Sequence, residues 1–209
     1  MPDEVLDFDA LSRTPLQRDP FDHVVVPGFV PPARAAAIRA AFPLSGHGGV
    51  EPARGAAPGD AVDQLLAALR QPRTSRLFSG LFGVDLHPDA LMVHLRSRCR
   101  PQDGRIHTDS RDKVVTGLIY FNESWPHPGG RLRLLRSADN LEDMAGEVVP
   151  LDGTLVVFRR TDISFHGHHP HDGVRRCVMF NWMVDAAHAR RETRRHAVSS
   201  LFKRLVRAA

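Results

Sequence analysis

From Leu91 onward the sequence consists of short apolar runs separated by polar or glycine-containing turns. Runs of four to eight residues rich in β-branched and aromatic side chains are typical of strands, and a series at this spacing favours a β-sandwich or barrel. The second half of the chain is therefore expected to be mainly β-sheet. The runs comprise residues 91–95, 114–121, 131–135, 146–149, 154–158 and 176–184.

The first half of the chain indicates one strand followed by helices. The valines of residues 21–29 end at Pro27-Gly28, as a strand does before a turn. Helices are expected from Pro32 to Phe42 and, as one or two segments, over residues 60–82. Residues 1–20 are interpreted as a loosely tethered arm. The glycine- and proline-rich loop of residues 43–60 is expected to be mobile and is a candidate lid.

Length and charge restrict the class of protein. The 209 residues suit one α+β, mainly β domain, expected over residues 21–184. No apolar run is long enough for a membrane span, the N-terminus is acidic, and only two cysteines occur, so a cytoplasmic location is expected. The net charge is +4, but the basic residues are dispersed and no nucleic-acid-binding motif is found, so no nucleic acid partner is expected.

The C-terminal residues 185–209 are expected to form a basic helix with an apolar side. Packing of this helix against the barrel is favoured, with the arginines in solvent. Peripheral contact with an anionic membrane is the alternative.

Three residues have the types and spacing of a metal site. His107 and Asp109 alternate in an extended segment, so both side chains can face one point, and His166 follows the 154–158 run. Two histidines and one carboxylate are the ligands of many non-haem Fe(II) oxygenases. The HTD sequence alone is weak evidence, because most such sequences are surface turns. His168 is an alternative ligand, since the histidine-rich stretch 166–171 also resembles zinc- or nickel-binding tracts.

An arginine at the start of an apolar strand adds to this pattern. Arg176 precedes the run that ends at Val184. A guanidinium in a buried strand is costly unless it meets an anion, and its planar fork suits a carboxylate. The anion can be a dicarboxylate co-substrate that also binds the metal, or a protein Asp or Glu, and the residues alone leave both open.

Several motifs in order resemble those of the iron(II)- and 2-oxoglutarate-dependent dioxygenase superfamily, in particular its prolyl 4-hydroxylase-like branch. The resemblance covers residues 91–184. It is carried by IHTD (106–109), LIYFN (118–122), GGRL (129–132), GTLVVF (153–158), SFHGHHP (164–170) and RRCVMFNW (175–182).

The resemblance implies a double-stranded β-helix (jelly-roll, cupin-like) core buttressed by N-terminal helices and a C-terminal helix. It implies that His107, Asp109 and His166 bind Fe(II), and that Arg176 binds 2-oxoglutarate, with Arg175 as the alternative. Arg176 is preferred because the family's basic residue commonly lies six positions before a tryptophan, here Trp182. O2 is the second co-substrate and ascorbate the expected reductant.

The resemblance also implies a reaction class. Related halogenases lack the carboxylate that is present here at Asp109, so hydroxylation of an unactivated C–H bond is expected, with release of succinate and CO2. A small biosynthetic intermediate is the expected substrate, and a peptidyl proline is the alternative. A non-catalytic, cupin-like metal-binding barrel is the competing class. Arg96, Arg98 and Arg100 alternate on or beside the first strand of the core and are candidate contacts for an acidic substrate.

Overall fold

The computed structural model describes residues 4–44, 51–53 and 59–193. The strands in these ranges are β1 (His23–Val26), β2 (Glu51–Pro52), β3 (Leu91–Cys99), β4 (Lys113–Tyr120), β5 (Leu132–Leu135), β6 (Met144–Val148), β7 (Leu155–Arg159), β8 (His166–Gly167) and β9 (Gly173–Met183). Six strands form one sheet in the order β1-β7-β4-β9-β3-β2, and three form a second in the order β6-β5-β8. Each pair of neighbouring strands is antiparallel, which confirms the mainly β expectation.

The helices precede most of the strands along the chain. They are α1 (Phe8–Arg13), α2 (Pro32–Ala41), α3 (Ala61–Leu69) and α4 (Pro72–Phe82), and residues 186–193 are also helical. Proline's fixed φ suits the first turns of α2 and α4, and Asp60 caps α3 by accepting a hydrogen bond from the Asp63 N–H. Gly83, in the left-handed conformation, ends α4.

The central strands of the large sheet are buried on both faces. Alternate side chains such as Ile119 and Val157 join the main core, which also contains the buried residues of the helices. Their neighbours Leu118 and Val156 join a second core with residues of β5 and β6. Since both faces are covered, the strands are expected to be almost wholly apolar, and polar side chains within them need another explanation.

The N-terminal segment differs from the loosely tethered arm expected for residues 1–20. Leu6, Phe8 and Leu11 are buried in the main core, and the Phe8 and Phe29 ring centroids lie 6.0 Å apart. Asp7 caps α1 by accepting a hydrogen bond of 2.7 Å from the Ala10 N–H. The apolar side chains of α1 and of Leu6 before it are buried in the core, and this burial packs the described part of the segment against the domain.

Strands β3 and β9 are longer than the apolar runs that predicted them. They pair from Leu91–Trp182 to Cys99–Gly173, with a register shift where Arg175 and Arg176 lie opposite the segment between Arg96 and Arg98. The two-residue strands β2 and β8 carry no sequence pattern that would predict them. Of the candidate lid, residues 45–50 and 54–58 lie outside the described residues, as do residues 194–209 of the expected C-terminal helix.

Each helix in the described ranges is too short or too polar to cross a membrane.

Candidate metal and anion site

The structure brings His107, Asp109 and His166 together. One potential ligand atom from each lies within 4.8 Å of the others. His107 and His166 are held side by side by two reciprocal backbone hydrogen bonds of 3.1 and 3.0 Å, and their ring centroids are 4.4 Å apart. Asp109 follows two residues later and reaches the same point, as the sequence spacing predicts.

Both imidazoles are oriented by the backbone. Nδ1 of His107 lies 2.8 Å from the carbonyl oxygen of Arg105, and Nδ1 of His166 lies 3.0 Å from that of Ser164. A carbonyl can only accept, so each Nδ1 carries the hydrogen and each Nε2 has its lone pair free for a metal. Burial lowers the pKa of His166 to about 4, so this imidazole is neutral at pH 7, as a ligand must be.

Asp109 is held as a carboxylate by its neighbours. Oδ1 accepts a hydrogen bond of 2.6 Å from Lys113 Nζ, and Oδ2 accepts one of 2.5 Å from Thr116 Oγ1. Asn181 Nδ2 donates to the same Thr116 hydroxyl at 2.8 Å, which leaves the hydroxyl hydrogen for Asp109. Burial raises the pKa of Asp109, but the charges of Lys113 and His166 and the two hydrogen bonds outweigh it and give about 2.

Thr116→Val should weaken metal binding without removing a ligand. Valine keeps the shape of the side chain but loses the hydrogen bond that orients Asp109, and such losses typically reduce metal affinity by about tenfold or more. Calorimetric titration of the purified protein with Mn(II) measures the effect. Thr14→Val is the matched control, because Thr14 bonds to the Ala10 carbonyl in α1, away from the site. Equal affinities in the two variants would contradict the role given to Thr116.

The triad lines a small open cavity of about 90 Å³. Arg96, His168 and Arg175 line the same cavity, and Leu118, Leu132 and Met179 provide apolar wall. Ligand sites commonly combine an apolar wall with a few charged groups in this way. The cavity therefore offers a small molecule both metal ligands and cationic groups.

Arg175 is a buried cation. Its Nε donates to the Gly130 carbonyl at 2.7 Å, and its Nη2 lies 3.1 Å from the Tyr120 hydroxyl, with the guanidinium 4.9 Å from the centre of the Tyr120 ring. Burial raises the pKa of Tyr120 well above its usual range, so its hydroxyl stays protonated. No Asp or Glu among the residues that the structure describes forms an ion pair with Arg175.

Arg175 rather than Arg176 faces the cavity, which reverses the preference drawn from the sequence. Alternate residues of β9 share a face, and Val178, Phe180 and Trp182 belong to the main core, on the side of the sheet away from the cavity. Trp182 has the same parity as Arg176, so the six-residue spacing selects the wrong face here. The sequence carries no signal for which parity of β9 faces the cavity; Met179, which has the parity of Arg175, is seen to line it only in the structure.

Arg176 lies among polar groups outside the cavity. Its backbone N–H donates to Asn122 Oδ1 at 2.9 Å. Burial raises the pKa of Asp152, and the charges of Arg39 and Arg176 partly offset this rise. The charge of Arg176 thus acts on Asp152, but the described residues show no ion pair between the two, and Arg176 Nε is buried without a hydrogen-bond partner.

Of the three arginines on or beside the first core strand, Arg96 alone lines the described cavity. Arg96 lines the cavity, whereas Arg98 is paired with Asp172 at 3.1 Å and Arg100 with Asp103 at 3.1 Å. The register of β3 against β9 shifts between Arg96 and Arg98: two steps along β3 face three along β9, from Cys177 to Val174.

The histidine-rich stretch is divided between several environments. His168 lines the cavity, but the cluster of potential metal ligands in the described residues comprises only the triad. His169 lies at the surface, 2.8 Å from Glu142 Oε1, and the His171 ring packs against Trp125. The structure therefore keeps His166 as the candidate ligand.

The metal-free protein should lose stability as the pH falls below about 6.5. Burial and the charges of Arg175 and Arg96 lower the pKa of His168 from 6.5 to about 4, so the unfolded chain takes up this proton first. His168 therefore stabilises the fold fully above its unfolded pKa, and this contribution is lost as the pH falls toward 4. Between about pH 7 and 5, protonation of His168 should lower the free energy of unfolding by roughly 2 kcal/mol.

Urea unfolding at both pH values measures this change, with His168→Gln as the test variant. Between about pH 7 and 5, His168→Gln should lose roughly 2 kcal/mol less unfolding free energy than the wild type. His169→Gln, whose side chain is exposed, should lose as much as the wild type. The same pH dependence in both variants would mean that His168 does not titrate in this way.

Comparisons with known proteins agree with the geometry. Residues 82–184 match the family model of the 2OG-Fe(II) oxygenase superfamily. No curated protein shows significant sequence similarity to the chain.

Solved structures with a similar fold include a prolyl-4-hydroxylase from Pseudomonas putida, with 23% identity and a TM-score of 0.56 over 84% of this chain and 91% of that one. A viral collagen prolyl hydroxylase from Paramecium bursaria Chlorella virus-1, solved with 2OG, has 15% identity and a TM-score of 0.53 over 76% and 93%. A 2OG-Fe(II) oxygenase family oxidoreductase from Burkholderia pseudomallei has 16% identity and a TM-score of 0.51 over 77% and 82%.

Proposed function

Because residues 82–184 belong to the 2OG-Fe(II) oxygenase superfamily, whose members use Fe(II), 2-oxoglutarate and O2, we propose that the chain hydroxylates a C–H bond of a small biosynthetic intermediate. The co-products are succinate and CO2. The two antiparallel sheets are proposed to form the double-stranded β-helix of this superfamily, with the site between them.

The residues fit Fe(II). Nε2 of His107, Nε2 of His166 and the Asp109 carboxylate supply two nitrogen donors and one oxygen donor, the set that non-haem iron oxygenases use. Bound Fe(II) supplies the activation of O2, coupled to oxidative decarboxylation of 2-oxoglutarate. Lys113 and Thr116 fix the Asp109 carboxylate, and the carbonyls of Arg105 and Ser164 fix the two rings.

The burial of Arg175 in the cavity without a carboxylate partner is the observation that carries the proposal. A fully buried guanidinium in the same cavity as the triad, with a phenol and a carbonyl but no described carboxylate as partners, requires an anionic ligand. The distal carboxylate of 2-oxoglutarate would accept hydrogen bonds from Arg175 and from the Tyr120 hydroxyl. A barrel that only stores metal has no need of this cation, so Arg175 favours the oxygenase over the non-catalytic alternative.

The apolar wall serves the same chemistry. Leu118, Leu132 and Met179 line the cavity beside the triad. They can exclude water from the reacting groups and leave the substrate carbon in contact with unreactive side chains.

The test is succinate formation from 2-oxoglutarate with Fe(II), ascorbate and air. A panel of amino acids, sugars and proline-containing peptides is added in turn, and Asp109→Ala is the blank. Turnover above the blank that one class of compound stimulates would support the oxygenase and identify its substrate class. If the anaerobic Fe(II) protein fails to bind 2-oxoglutarate at all, the oxygenase proposal is wrong.

Peptidyl prolyl hydroxylation is the second candidate. It is favoured by the fold shared with prolyl hydroxylases such as that of Pseudomonas putida. Stimulation by the proline-containing peptides alone would select it over the small-molecule substrate.

A further inference from the structure

A second cationic side chain, that of Arg96, lines the cavity without a close partner. Its nearest described carboxylate is Asp103, with 3.8 Å between Arg96 Nη2 and Asp103 Oδ2. Both Asp103 oxygens are already engaged by Arg100, at 3.1 Å to its Nη2 and 2.9 Å to its backbone N–H. Arg96 Nε is buried and has no hydrogen-bond acceptor in the described structure. Arg100 Nε and Arg176 Nε share this property, but of the three only Arg96 lines the cavity, where an acceptor from outside the chain can reach it.

The position of Arg96 in the sheet directs it to the same side as Arg175. Arg96 pairs with Cys177 across β3 and β9, and Arg175 lies two residues from Cys177 on the same face of β9. Both guanidiniums line the cavity that contains the triad. An anion bound by Arg96 would therefore share the cavity with the co-substrate.

The charges of the loaded site favour a further anion. With Fe(II) and 2-oxoglutarate bound, the charges of the metal, the co-substrate, Asp109 and Arg175 cancel. Lys113, which pairs with Asp109, and Arg96 then remain, and both are positive. Asp103 offsets only one of Arg96 and Arg100. An anionic group on the substrate would balance this excess in a partly desolvated cavity.

We propose that the substrate carries a carboxylate and that Arg96 binds it, so that Arg96 selects acidic substrates. The inference rests on the proposed function, and it narrows the candidates Arg96, Arg98 and Arg100 to one residue. The planar guanidinium suits a carboxylate because two parallel N–H groups can bind both oxygens. Arg98, paired with Asp172 and half-exposed, has no part in this selection.

The experiment uses the full chain loaded with Mn(II), a redox-inert substitute for Fe(II), and saturating 2-oxoglutarate. Calorimetric titration compares acetate, propionate, benzoate and L-proline with the primary amide of each. At least one acid should bind about tenfold more tightly than its amide, because a charge-assisted pair replaces a neutral contact. In Arg96→Met this preference should fall to about one, and Arg96→Lys should retain part of it. Arg98→Met is the matched control and should keep the full preference.

Binding of Mn(II) and 2-oxoglutarate is measured first, because it tests the proposed function separately from the role of Arg96. Failure of the wild type to bind Mn(II) and 2-oxoglutarate contradicts the proposed function itself. Normal loading with no acid bound more tightly than its amide overturns the role of Arg96, as does an acid preference that persists in Arg96→Met. Normal 2-oxoglutarate binding by Arg96→Met shows that the variant is folded and that the lost preference belongs to the substrate.

Discussion

Arg175→Met is expected to weaken 2-oxoglutarate binding by about 100-fold or more while leaving Mn(II) binding nearly unchanged. Truncating one partner of a buried, charge-assisted pair costs on the order of 3 kcal/mol, which corresponds to this factor. The metal ligands lie on other elements and keep their backbone and side-chain contacts. Calorimetric titration of the Mn(II)-loaded protein with 2-oxoglutarate, preceded by titration of the metal alone, measures the two affinities separately.

Arg176→Met provides an unusually close control. It removes the same side chain from the next position of β9, but on the face away from the cavity. Its 2-oxoglutarate affinity should stay within about twofold of the wild type, because the main effect is on contacts near Asp152. A large loss in Arg176→Met with normal binding in Arg175→Met would show that the sequence-based preference was right and the placement of Arg175 irrelevant to the co-substrate.

Asp109→Ala should abolish metal binding and turnover. The variant removes the anionic ligand and leaves Lys113, now without its 2.6 Å partner, beside the site, so a cation is repelled rather than attracted. Succinate formation should fall by about a thousandfold or more, to the rate without enzyme, since metal chemistry supplies the reaction. Mn(II) titration and the succinate assay on the same preparation check both effects.

His169→Ala is the control for the triad as a whole. It removes an exposed imidazole three residues from His166, and its activity should remain near that of the wild type. His107→Ala should resemble Asp109→Ala. Wild-type activity in the His107 variant, or loss of activity in the His169 variant, would exclude the assigned ligands.

The sequence predicted that the three candidate metal ligands lie together, and the structure brings them within 4.8 Å of one another. Alternation in an extended segment places His107 and Asp109 together, and several motifs in order located His166. The regular strands of the core were predicted for the same reason, since the apolar runs have the strand period. The burial of Leu6, Phe8 and Leu11 was missed because the prolines and polar residues around them suggested an arm.

Which arginines face the cavity could not be predicted from local sequence rules. Whether Arg175 or Arg176 faces the cavity depends on which side of β9 the helices cover, and that is a property of the tertiary packing. The register shift between β3 and β9 at Arg96 and Arg98 is likewise not marked in the sequence. Both questions concern one-residue changes of parity, which move a side chain to the opposite face of a sheet.

The paired backbones of His107 and His166 also bear on how the protein can acquire its metal. These histidines are 59 residues apart in the chain. Bringing them together in an unfolded chain costs roughly 4 kcal/mol in loop-closure entropy. In the folded protein their two backbone hydrogen bonds have already closed this loop, so an arriving ion meets ligands that need little rearrangement. An ion bound to both rings would in turn penalise any opening that separates the two histidines.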